Sequence, residues 1–131
     1  MRTADSLVMR DSVQRPRLLM LAFCFDPNGS MEDRNGWQRA ILAAEQFDVT
    51  VMYSQTVSLS ELNANIPSHL RNLSLRFEPI EVGWITGLLK WLEIGFAIHY
   101  RDWHRLAYRR AKVLHAENPF QIAHLVTICG F

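Results

Sequence analysis

The densest chemistry in the chain lies in FDPNGSMEDRNGW, Phe25 to Trp37, which combines two glycines, a proline and two asparagines with three acids and one arginine. Glycine lets a backbone approach a ligand closely or take positive φ. A strand, a glycine-containing loop and a helix start can together set a phosphate against backbone N–H groups. The G-x6-G spacing of Gly29 and Gly36 matches neither the dinucleotide fingerprint nor the phosphate loop with its Lys-Ser/Thr ending. Asp26, Glu32 and Asp33 also oppose an anion. The same carboxylates suit hydrogen bonds from sugar hydroxyls, and one of them could act as a base. The residues alone leave two uses open, a ligand loop and a long turn whose acids cap a helix.

His124 sits inside the apolar run FQIAHLVTI, where an imidazole serves either as a core residue or as a polar contact to a substrate. His69, His99, His104 and His115 show no paired spacing with cysteine or carboxylate, so no metal site is expected; His99 and His104 read as decoration of a helix. Arg101, Arg105, Arg109, Arg110 and Lys112 crowd one helical segment, with Asp102 the only acid among them. They form either a solvated face or a contact for anionic lipid head groups. The preceding WITGLLKWLEIGF supplies Trp84 and Trp91 to such an interface. Trp84, Trp91, Arg105, Arg109 and Arg110 are therefore the membrane-contact candidates. A net charge of +1 and the absence of a recognised motif argue against a nucleic-acid partner.

These groups need a scaffold, and the rest of the chain supplies one. At 131 residues, with 49% hydrophobic and 21% charged content, the chain fits one globular domain with a real core. The most apolar region, Trp84 to Tyr100, contains Lys90 and Glu93 and falls short of the roughly 20 apolar residues of a spanning helix. Residues 1–16 lack the apolar centre of a secretory signal and read as a flexible leader. The cytoplasm is the expected location. Cys24 and Cys129, at the ends of predicted strands, read as two buried thiols in a reducing compartment.

Strands are predicted at Arg17–Cys24, Asp48–Ser54, Leu73–Pro79 and Phe120–Ile128, from apolar or β-branched runs. Between the first two, Trp37, Ala40, Ile41 and Ala44 recur at helical spacing, with Asp33 as an N-cap or first-turn acid and an end near Gln46. Ser60 is a possible cap for a short helix before Pro67. Trp84 to Tyr100 is expected to be helical with a break near Gly87 or Gly95. Asp102 to Glu117 carries the stripe Trp103, Leu106, Ala107, Ala111 and Leu114. Alternating strands and helices imply an α/β fold, a Rossmann-like and mostly parallel sheet with flanking helices. Ligands in such folds sit beyond the carboxyl ends of the strands, which selects the loop after Cys24 and the exit of the last strand. A sheet that ends on an uncovered strand is expected to be incomplete at its C-terminus.

Two blocks together resemble the first half of family-four-like glycosyltransferases of the GT-B fold. FCFDPNGSMEDRNGWQRAILAAEQFDVTVMYS is similar to their first βαβ unit, with Gly29-Ser30 in the loop and Gly36-Trp37 at the helix start. YRDWHRLAYRRAKVLHAENPFQIAHLVTICGF is similar to their aromatic-basic helix, its Leu-His-x-Glu end and a strand carrying a histidine. The likeness spans residues 17–131 and is weakest from 55 to 95. Gln121-Ile122-Ala123 departs from the aspartate and aliphatic residues of many relatives, and Leu125 stands where a second polar residue often follows the histidine.

The resemblance implies an N-terminal, acceptor-side domain fragment of a retaining transferase. Such an enzyme moves a sugar from a nucleotide-sugar donor to an acceptor hydroxyl on a glycan or lipid-linked molecule, with no metal and no cofactor. Gly29, Ser30, Gly36, His124, Thr127 and Gly130 would contact donor or acceptor; no catalytic residue is assigned. The family's second domain normally carries most donor contacts, so the 131-residue chain is expected to be inactive alone and prone to self-association. Two alternatives stand beside this reading: a non-enzymatic α/β interaction module and a peripheral membrane-binding module at the inner face of the membrane.

Overall fold

The computed structural model describes residues 14–54, 57–71, 74–83 and 93–126. Trp84, Trp91, Thr127, Cys129 and Gly130 lie outside the described residues. Four strands, β1 (Arg17–Ala22), β2 (Asp48–Ser54), β3 (Leu75–Ile80) and β4 (Ile122–Val126), form one sheet in the order β3-β2-β1-β4. Every pair is parallel. Between them lie α1 (Met31–Ala44), α2 (Leu59–Ala64), a 3-10 turn at Ser68–Leu70 and the long α3 (Glu93–Glu117).

Strand side chains alternate between faces, and that alternation builds two cores. Leu18, Met20 and Ala22 of β1 join Val49, Val51 and Tyr53 of β2 beneath Trp37, Ala40 and Ala44 of α1. Leu19 and Met52 face the other way and pack against Trp103 and Ala107 of α3, together with Phe23 and Ile80. Apolar residues on both faces explain why RLLMLA and DVTVMYS are nearly continuous apolar runs. The predicted stripe on α3 is the one used: Leu106, Ala111 and Leu114 flank Trp103 and Ala107 against this second core.

Several boundaries differ from the sequence expectation, each for a local reason. The first helix starts at Met31, not at Gly36-Trp37, because Ser30 caps it in extended conformation (φ −62°, ψ 177°). Gly36 therefore lies inside the helix. The short helix is capped by Ser58, whose side chain accepts from the Glu61 N–H, and Ser60 lies within its first turn. No break occurs at Gly95: α3 runs unbroken through Arg101, since a single glycine costs a helix only about 1 kcal/mol and Trp103 anchors the segment that follows.

The base of the sheet is tied together by Arg17. Its N–H donates to Gln121 Oε1 (2.6 Å) and its carbonyl accepts from Gln121 N–H (2.9 Å). Its guanidinium donates to the Asn118 carbonyl, lies 3.7 Å from Asp48 and stacks over Phe120 at 4.6 Å. Asp48 N–H donates to the Pro16 carbonyl (2.9 Å), and Arg15 donates to the Ala44 carbonyl (3.0 Å). The last residues of the expected leader are thus fixed to the fold.

Candidate functional site

Because β2 and β3 build out on one side of β1 and β4 on the other, the chain reverses its winding direction between β1 and β4. In open α/β sheets the carboxyl ends of the strands at such a reversal are where ligands bind. Ala22 stands opposite Val126 there, and the segment following Ala22 is the described part of that end of the sheet.

That segment is the loop Phe23–Ser30, held by its own acids. Asp26 Oδ1 accepts from the Asn28 N–H (2.8 Å), and the Asp26 N–H donates to the Asp33 carbonyl (3.2 Å). At the start of α1, Ser30 and Asp33 form a capping box. Asp33 Oδ2 accepts from the Ser30 N–H (3.0 Å) and hydroxyl (2.8 Å), while the Ser30 hydroxyl accepts from the Asp33 N–H (3.3 Å). Such a box satisfies two of the orphan donors of a helix start. Two donors that could have met a phosphate, the N–H groups of Ser30 and Asp33, are engaged within the chain, and the carboxylates of Glu32 and Asp33 lie in the same first turn. The exposed polar side chains there are Asn28, Ser30, Glu32, Arg34 and Asn35, a mixed set of amides, a hydroxyl, one carboxylate and one guanidinium that suits hydrogen bonds with hydroxyl groups.

Both loop glycines are required by space. A Cβ on Gly29 would lie 2.6 Å from Asp33 Oδ2, 2.7 Å from Asp33 Cβ and 2.9 Å from Asp26 Cβ. One on Gly36 would lie 2.6 Å from the Cys24 carbonyl oxygen. Gly29 lets the two acids close the loop, and Gly36 lets α1 settle onto the exit of β1. Behind them, the buried Phe25 ring contacts Trp37 and Tyr53, each at 5.5 Å between centroids. Tyr53 is fully buried at the carboxyl end of β2, and its hydroxyl has no hydrogen-bond partner among the described residues. Burial pushes its phenol up. Sequence reading passed over this residue as one more strand aromatic; the available signal was a polar-tipped side chain near the end of an otherwise apolar strand.

His124 is not at the strand's exit. It pairs with Met20, two residues before the end of β1, on the face shared with Leu18 and Ala22, and it is half-buried. Gly29, Ser30 and Gly36 are thus gathered around one loop, while His124 stands deeper along the neighbouring strand. Cys24 is half-buried beside that loop. The Tyr100 ring meets Phe23 at 5.1 Å between centroids, which sets α3 against the back of the same loop, and its phenol is pushed up by burial and then by Cys24.

The basic residues of α3 are partly spoken for. Arg101 and Arg105 each lie 3.8 Å from Asp102. Arg110 Nε meets Glu78 of β3 at 3.4 Å, and Lys112 lies over the Tyr108 ring at 4.8 Å. Arg109 is exposed. Among the described residues, no three His, Cys, Asp or Glu side chains gather as metal ligands, and no helix is long and apolar enough to cross a membrane.

His104 touches Tyr100 and Trp103 edge-on at 4.4 and 5.0 Å, and burial holds its imidazole below the usual histidine range. Protonation then favours the unfolded chain, so stability should fall as pH drops below about 6.5 and level off below the lowered folded-state value. Thermal midpoints recorded between about pH 7.5 and 5 should decline less steeply for His104→Asn than for the parent chain. An equal decline in both would show that other groups carry the pH dependence.

No protein-family model, curated protein or solved structure matches this chain. What the geometry establishes is an α/β unit with a Rossmann-like parallel sheet whose strand order reverses between β1 and β4.

Proposed function

We propose that the chain is the acceptor-side α/β unit of a retaining glycosyltransferase that moves a sugar from a nucleotide-sugar donor to an acceptor hydroxyl. The observation that carries this reading is the position of the Phe25–Ser30 loop. It stands at the carboxyl end of β1, where the sheet reverses its winding and where such folds bind ligands. Sequence resemblance in the same loop and in the β4 region supports it. The capping box refines it: Asp26, Asn28 and Glu32 would meet hydroxyl groups of a sugar, and the donor phosphates would be held elsewhere in the enzyme. Half of a two-domain cleft transfers no sugar, so the 131-residue chain is inactive alone. The cytoplasmic side of a membrane is the proposed setting where the acceptor is lipid-linked.

The test is an amide-shift titration of the labelled chain with free sugars and nucleotide sugars up to the millimolar range, where about 4 kcal/mol of binding becomes visible. Perturbation confined to the amides of Asn28 to Glu32 and to the end of β4 is the expected result. Silence of these amides toward every sugar, or sugar transfer by the isolated chain, would overturn the reading. A second reading, a non-enzymatic interaction module, is favoured by the edge of β4 that is unpaired among the described residues and predicts such silence.

A further inference from the structure

Among the described residues, β4 pairs on one side only, with β1. Soluble proteins protect such an edge with lysine, proline, a bulge or a covering element, because its unpaired N–H and C=O groups recruit other strands. IAHLV contains no proline and no lysine, arginine or carboxylate. Its two large aliphatic side chains are exposed, Ile122 at 40% and Leu125 at 46%. They lie on opposite faces, since the register sets Ile122 beside Leu18 of the α1 face and Leu125 beside Leu21 of the α3 face. Beside the strand runs an apolar groove of about 820 Å³, floored by Leu19, Leu21 and Ala123 and walled by Ala111 and Phe120.

We propose that β4 pairs antiparallel with β4 of a second copy of this chain, about a two-fold axis through His124. This inference does not depend on the glycosyltransferase reading. A two-fold contact uses the same patch twice, so the patch must complement itself, and this one does. With His124 on the axis, Leu125 stands opposite the partner's Ala123, and Ile122 stands opposite the partner's Val126. The exposed leucine thus meets the smallest residue of the strand, where the groove floor leaves room for it. With no lysine, arginine or carboxylate in the strand, only the two His124 imidazoles, which meet on the axis, could bring like charges together, whereas the strand offers a charged foreign strand no counter-ion. Two four-stranded sheets become one continuous sheet, with the two grooves joined across the axis.

Sedimentation velocity on the full 131-residue chain over a concentration series should show a monomer–dimer equilibrium. Leu125→Lys and Ile122→Lys should each weaken it at least about tenfold, while circular dichroism confirms retained folding of these exposed positions. A second measurement does not depend on those variants. Residues facing each other across an antiparallel axis have Cα atoms about 4.5–5.5 Å apart, within disulfide range. His124→Cys should therefore yield a covalent dimer under mild oxidation, with the 124–124 linkage found by peptide mapping. A parent chain that stays monomeric, whether its edge is left open or covered by its own leader, overturns the proposal. So does a dimer indifferent to both lysine substitutions, or a cross-link that joins other positions.

Discussion

Trp103→Ala should cost the fold about 3–5 kcal/mol, the usual range for removing a buried tryptophan, a large share of a typical 5–15 kcal/mol. Trp103 is fully buried in α3, and its ring meets Phe23 edge-on at 5.3 Å. It fills the centre of the second core, between Leu19, Met52 and Ile80. Phe96 and Tyr100 of α3 also meet the Phe23 ring, at 6.0 and 5.1 Å, but they are only partly buried at the border of this core, so the substitution opens its cavity at the fully buried centre.

Trp103→Phe separates packing from polarity. The Trp103 indole N–H is buried with no hydrogen-bond partner among the described residues, and an unsatisfied buried donor carries a penalty of about 1–3 kcal/mol. Phenylalanine removes that donor while keeping most of the ring volume, so its net loss should be well below that of alanine. Urea unfolding followed by far-ultraviolet circular dichroism, which does not depend on the deleted fluorophore, measures both. A phenylalanine variant as unstable as the alanine one would mean that the indole N–H finds a partner after all. An alanine variant within about 1 kcal/mol of the parent would mean that α3 is held by something other than this core.

Trp103 also shows what the sequence made legible. Its spacing with Ala107 and Ala111 announces a buried stripe, the apolar run Arg17–Cys24 announces a strand covered on both faces, and the β-branched Asp48–Ser54 a second strand, so fold class and parallel pairing follow. Hydrophobic periodicity reports burial, which is a property of whole elements. The register that sets His124 opposite Met20 depends instead on which strands become neighbours, and the β1–β4 pairing joins segments about a hundred residues apart; no local pattern encodes it. Helix starts were misplaced for a related reason. Asp33 is a first-turn acid, one of the two expected roles, but Ser30 and Asp33 satisfy the capping pattern only as a reciprocal pair, and taking Gly36-Trp37 as the helix start places it too late. The exposed charges of α3 illustrate the remaining gap. Five cations in sequence read as one basic face, yet Arg110 reaches across to Glu78 of β3, a partner thirty-two residues away.

Gly36→Ala separates two physical effects by the sign of its outcome. Helix propensity alone predicts a gain of about 1 kcal/mol, because glycine is the poorer residue inside a helix. Packing predicts the reverse. The added Cβ would lie 2.6 Å from the Cys24 carbonyl oxygen and 3.4 Å from the Phe25 ring. The first obstacle is backbone and cannot rotate away, so α1 must lift from the exit of β1. Overpacking of this kind costs about 1–3 kcal/mol, which outweighs the propensity gain across most of that range; Gly36→Val, bulkier and β-branched, should cost more. The exposed neighbour Gln38 is the control, since Gln38→Ala should stay within about 0.5 kcal/mol of the parent. Lifting α1 also strains the Asp26 N–H bond to the Asp33 carbonyl, so amides of the Phe25–Ser30 loop should shift in the alanine variant even where the fold survives. If the loop is one wall of a sugar site, those shifts should come with weaker perturbation by sugars. A Gly36→Ala chain more stable than the parent would show that α1 can ride higher on the sheet without loss. The glycine would then owe its place to something other than the close approach of helix and strand.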